Sequence, residues 1–275
     1  MDAPAVRAFL ATLPARGDGR AAARVSFFLD VLQRPDIRYL VAPVVGGSAA
    51  RIAAVGAAIL ETAGAPTGRL ERGVATVSGR PFDEPLLARA GTLAAAATYQ
   101  LGASRPDLGE PTRREVEVTL ALSAFAEANV RVALLVDEAL EARAAAGAKP
   151  DLVIAGRIEA PDVEPLLALA RRRVPIVAAA QDPSTQARLE AGAAAHALPL
   201  LLGGRDFSHD DHGTESDVRV GSERYGRLPR GGALAGWELA TGVAAALGLG
   251  ILGIRLRPEW VAAGARAAAT ATMEP

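Results

Sequence analysis

The chain has 275 residues with a formal net charge of −1; half of them are hydrophobic, 22% are charged and none is cysteine. That length can bury a substantial core, the balanced charge excludes a sequence-wide pull toward nucleic acid or an acidic membrane surface, and the missing thiols exclude disulfides and thiolate metal sites. No apolar run reaches the ~18 residues of a membrane span, and the opening stretch, with Asp2, lacks the apolar core of a secretion signal, so a cytoplasmic location is expected.

Read in order, apolar residues at helical spacing (Val25, Phe28, Leu29, Leu32) predict a helix over 21–33, closed by Pro35. Residues 38–45 form a short apolar run that ends in Gly46, Gly47 and Ser48. A long Ala-rich helical stretch follows to Ala63, and strand, glycine turn and helix together open a βαβ unit. A weakly alternating strand at 73–77 meets a turn at 78–81, and helix is predicted over 83–97. After a Pro/Gly loop at 105–111, helix is expected over 112–129, with Val116, Leu120, Ala124 and Phe125 on one face. The runs 130–136 and 151–155 read as buried parallel strands around a helical 138–146. Helix at 161–173, strand at 174–180, helix at 184–196 and strand at 198–202 continue the alternation. From Gly203 the texture turns polar and turn-rich, which predicts an antiparallel hairpin region near 203–230. Ala/Leu-rich helices over 234–247 and 258–269 complete the chain. The expected fold is α/β: a doubly wound, mainly parallel sheet with right-handed crossovers.

The order of these segments resembles the folylpolyglutamate/dihydrofolate synthase family of Mur-type ligases over nearly the whole chain. Residues 9–19, FLATLPARGDG, are similar to that family's opening YL-x-SLPRFGI, with Leu13, Pro14 and Arg16 in step. Val41 and Ala42 followed by Gly46, Gly47 and Ser48 resemble its V-A-G-T-N-G-K-G-S phosphate loop. Residues 74–84 resemble IRVNGEPISEEE, and 112–151 its central helix and strand. Gln181, Asp182 and Pro183, then Gly204, Arg205, Asp206 and Phe207, recur at the family's spacing. The resemblance implies a sheet of the P-loop NTPase/Mur-ligase central-domain type, with 1–275 as one such domain and the C-terminal ligase domain absent. It also implies ATP-dependent joining of an acid to an amine.

Such chemistry needs backbone N–H groups and a lysine on the phosphates, and a hydroxyl on magnesium. The stretch Pro43–Ser48 is one residue short of the family loop and has no lysine; the single lysine of the chain is Lys149. Pro43 removes a donor where the family has glycine. Arg51 is the nearest cation, one turn into the helix. Gly46, Gly47, Ser48 and Arg51 are thus the candidate cofactor-binding residues, a degenerate phosphate loop that could hold an anion weakly but reads more simply as a tight strand-to-helix turn.

By the same alignment the family's metal-binding acid falls at Val136, with Asp137 and Glu138 adjacent, and its histidine ligand falls near Ala160 and Pro161. Its modified lysine segment is missing between Arg173 and Val174. Its adenine-facing Asn falls near Trp237 and Glu238, and its folate-side segment shrinks to Thr67, Gly68, Arg69 and Leu70. Asp206, His209, Asp210, Asp211, His212 and Glu215 form a metal-like cluster that reads more simply as a solvated hairpin. Arg171, Arg172 and Arg173 read as the basic last turn of a helix.

The expectation is therefore a pseudoenzyme with no catalytic residue, no metal and no cofactor. It would act as a structural or regulatory subunit that binds a protein partner or itself, through the Ala/Leu-rich helices 49–63 and 234–249. The alternative is a divergent acid–amine ligase subunit of folate/glutamate type using ATP and Mg. A third reading is a binding module for a folate- or nucleotide-like molecule, with no residue pointing to a particular ligand.

Overall fold

The computed structural model describes residues 1–137, 142–170, 173–231 and 234–271. In chain order, the elements run α1 (Ala3–Thr12), α2 (Ala21–Val31), β1 (Leu40–Val45), α3 (Ala49–Thr62), β2 (Thr67–Glu71), β3 (Val74–Val77), β4 (Arg80–Pro81), α4 (Glu84–Ser104) and α5 (Arg113–Glu127). There follow β5 (Val132–Asp137), β6 (Val153–Ala155), α6 (Val163–Leu169), β7 (Ile176–Ala178), α7 (Pro183–Ala195) and β8 (Leu200–Leu202). The hairpin strands β9 (Phe207–His212), β10 (Glu215–Val220) and β11 (Glu223–Pro229) precede α8 (Gly236–Ile251) and α9 (Pro258–Ala271).

The main sheet has the order β4-β3-β2-β5-β1-β6-β7-β8. The six strands β2, β5, β1, β6, β7 and β8 are parallel, and β3 and β4 extend the sheet beyond β2 antiparallel. Apart from β2, the parallel strands are apolar on both faces because helices cover both. Successive side chains of β1 alternate: Val41 and Val45 join the layer of α2, α5, α6 and α7. Ala42 and Val44 join the layer of α3, α8 and α9. A second small sheet, β11-β10-β9, packs Phe207, Val218, Tyr225 and Leu228 into that same layer. The doubly wound sheet and the antiparallel region at 203–230 are as the sequence predicts.

Two local devices fix the frame. Thr112 and Glu115 form a reciprocal capping box that starts α5. Glu115 also grips Arg24 of α2 with both carboxylate oxygens, at 2.6 and 2.9 Å, and both side chains are almost fully buried. Arg24 donates further to Asp18 (2.8 Å) and to the Leu108 carbonyl (2.7 Å), so one guanidinium ties the N-terminal helices to α5.

The structure departs from the sequence reading at several places. The helices expected as partner faces, 49–63 and 234–249, lie against each other and against α9 and the sheet. Their small residues permit the approach: a Cβ on Gly242 would sit 2.6 Å from Val55, and one on Gly264 of α9 only 2.4 Å from the Ile59 backbone. Their apolar faces are spent inside the core. Thr67 to Leu70, read as a shrunken folate-side segment, belong to strand β2, where Gly68 makes room for the Phe125 ring. Helix was expected over 138–146; residues 138–141 lie outside the described residues, and Ala142–Ala148 is a 3-10 helix. The helix expected over 161–173 is shorter, ending at Leu169; Arg171 and Arg172 lie outside the described residues.

Candidate functional site

In open parallel sheets, ligands bind beyond the carboxyl ends of the central strands. Here β1 is central, between β5 and β6, and it runs directly into Gly46, Gly47 and Ser48 and then α3. Pro43 stands in the middle of β1 and offers no N–H. The paired register with β6 accordingly covers only Val44 and Val45. Gly46 takes a left-handed φ of +83°, and a Cβ there would lie 2.7 Å from Ile158 and 2.8 Å from the Arg157 carbonyl oxygen. Ser48 also sits in the left-handed region, at φ +62°, and its side chain does not cap α3.

The decisive geometry is where the turn's N–H groups point. Gly46 donates to the carbonyl of Asp137, at the end of β5 (3.2 Å), and Gly47 donates to the carbonyl of Arg157, just past β6 (2.7 Å). Two donors that a phosphate loop would turn toward an anion are satisfied by the chain's own carbonyls. The approach is close: a Cβ on Gly156 would lie 1.9 Å from the Gly47 oxygen. Gln181, following β7, fastens this segment. Its side-chain oxygen accepts from the Ile158 N–H (2.9 Å), and its NH₂ donates to the Gly156 and Ala179 carbonyls (2.9 and 2.8 Å). All three arms of the amide are thereby used across two strand ends.

The cations around the turn are engaged elsewhere. Arg51 reaches the buried Glu238 at the start of α8, 3.1 Å away, rather than the turn. Glu238 also accepts from the Ala235 N–H (2.7 Å), closing a cap on α8. The Arg157 guanidinium lies over the Trp237 ring, 4.5 Å from its centroid. The four sequence candidates thus share one turn and helix start, but Arg51 faces away from the glycines. The carbonyls of Asp137 and Arg157, the stacking of Trp237 and the amide of Gln181 went unpredicted, because each contact joins segments far apart in the chain.

The other candidate groups are dispersed. Along β9, His209, Asp210, Asp211 and His212 alternate between faces. Asp211 accepts from Ser216 (2.7 Å) and lies 3.5 Å from Arg230, while Asp206 accepts from the Leu202 N–H and Arg205. Among the described residues no three His, Asp or Glu side chains are grouped as a metal site; Glu138 lies outside them. Asp182 serves as the N-cap of α7, and hydrogen bonds from Ser184 and Thr185 hold its carboxyl well below the usual carboxylate range. Among the described residues no helix is long and apolar enough to cross a membrane.

Set beside solved structures, the chain superposes on the folylpolyglutamate synthetase of Lactobacillus casei with a TM-score of 0.82 at 20% identity, covering 98% of this chain and 72% of that one. The fold is that of the folylpolyglutamate synthetases. The Mycobacterium tuberculosis folylpolyglutamate synthase complexed with ADP matches with a TM-score of 0.81 at 18% identity over 96% of this chain and 65% of that one. The Thermotoga maritima folylpolyglutamate synthase gives the same score, identity and coverage. At such identities the likeness to the synthetases is one of fold. No protein-family model and no curated protein sequence matches the chain.

Proposed function

We propose that the chain is a folylpolyglutamate-synthetase-like pseudoenzyme, a non-catalytic structural or regulatory subunit that binds a protein partner or a second copy of itself. The observation that carries this reading is the closed glycine turn, with the Gly46 and Gly47 N–H groups on the Asp137 and Arg157 carbonyls. A nucleotide arriving there would have to displace a 2.7 Å hydrogen bond and the amide-stapled segment behind it.

ATP with magnesium does not fit the residues present. The turn has no lysine, its nearest cation is paired with Glu238, and two of its donors are taken. The same pairing argues against a ligase that would recruit Arg51 in place of the lysine. Isothermal calorimetry of the purified chain with ATP and Mg²⁺ tests the reading. The expected result is no binding tighter than about 100 μM, or roughly −5.5 kcal/mol; a tighter constant overturns it.

A further inference from the structure

We propose that the opposite rim of the sheet, at the amino ends of β1, β5 and β6, binds a small organic anion: a carboxylate or phosphate group carried on an apolar body. A cavity of about 590 Å³ opens there, within the roughly 300–1,000 Å³ range of small-molecule sites. Arg38, Arg131 and Lys149, the only lysine of the chain, all line it. All three are exposed, and among the described residues none of them has an ion-pair partner within 4 Å.

Two carboxylates share the wall, and both are committed. Asp36 is bound to Arg34 at 2.5 Å, with Lys149 also within electrostatic reach, and Asp151 accepts from the Val41 N–H at 2.8 Å. With Asp36 offset by Arg34, three cations face the one remaining carboxylate, Asp151, and the excess of positive charge draws an anion.

The second half of the ligand is read from the lip. Ile37 (72% exposed) and Leu252 line the cavity, and Ile251 (85% exposed) adjoins it. They are three of the seven large hydrophobic side chains exposed among the described residues. Clustered exposed apolar groups mark a binding surface, whereas scattered ones do not. A second copy of the chain fits poorly, because a two-fold contact would set the cationic patch against itself. The site lies at the other end of the strands from the glycine turn, so it stands or falls independently of the function proposed above.

Fluorescence titration of the whole chain with 8-anilinonaphthalene-1-sulfonate, a sulfonate on an aromatic body, tests the site. One saturating site per chain is expected, weakened about tenfold in the Arg131→Gln/Lys149→Gln double variant and at least as much by Leu252→Asp. Arg188→Gln, which removes one exposed charge on α7, leaves it unchanged. Inorganic pyrophosphate, which has the charge without the apolar body, displaces the dye only at much higher concentration. Circular dichroism melts verify that each variant is folded. Unchanged dye affinity in the folded double variant overturns the proposal, as does displacement by pyrophosphate at a concentration equal to that of the dye.

Discussion

Gly156→Ala probes the closure of the glycine turn directly. The added Cβ would lie 1.9 Å from the Gly47 carbonyl oxygen and 3.2 Å from Ile52 Cδ1. An ordinary C···O contact is about 3.3 Å, so the two segments must part by about 1.4 Å. That displacement breaks the 2.7 Å bond from Gly47 to Arg157, worth about 1 kcal/mol net. Overpacking of a filled site adds about 1–3 kcal/mol. The sum is about 2–4 kcal/mol, and at about 2–4 °C per kcal/mol for a chain of this size the melting temperature falls by about 4–16 °C. Scanning calorimetry measures it, with Gly102→Ala as the control: nothing lies within 4 Å of that position, and alanine in a helix interior is favourable by about 0.5–1 kcal/mol. If Gly156→Ala melts within 2 °C of the parent, as an estimate of error, the turn is not held in the way described.

Glu115→Ala leaves the Arg24 guanidinium buried without its bidentate partner and should cost about 3–5 kcal/mol in urea unfolding. The double replacement Arg24→Met/Glu115→Leu should cost less than the single one, and a double variant that is worse would contradict the account. Burial raises the Glu61 carboxyl above its ordinary value, outweighing the Thr67 hydroxyl and Arg69, which pull it down. A group whose folded value is raised stabilises the chain at low pH and loses that contribution as pH rises. Glu61→Gln should therefore improve the melting temperature relative to the parent more at pH 7 than at pH 4; the reverse order would refute the assignment.

The β–α alternation was legible because parallel strands covered on both faces are continuous apolar runs, as in 132–136 and 176–178, and the second is followed by a helix capped by Asp182. Strand β2 was not, since Thr67, Gly68 and Arg69 carry little apolar pattern and pair through the backbone of β5 and β3. The absence of lysine from the turn and the displacement of Arg51 could be read from spacing. The closure could not: Gly47 meets Arg157 and Gln181 meets Ile158 only once the strands are side by side. The packing of helices 49–63 and 234–249 on each other, where the sequence reading expects partner faces, had a legible signal. Gly56, Gly242 and Gly264 are the small residues that let two helices come together, and they point to mutual packing.

A loop shaped by a bound phosphate is subject to mass action: its order, and the stability it lends, rise and fall with the free concentration of the ligand. The carbonyls of Asp137 and Arg157 are tethered to the turn they fill, so their effective concentration is set by the backbone and never diluted. On the reading proposed above, the strand-to-helix junction of β1 and α3 draws its order from the covalent chain, and its melting temperature should be indifferent to the nucleotide level around it.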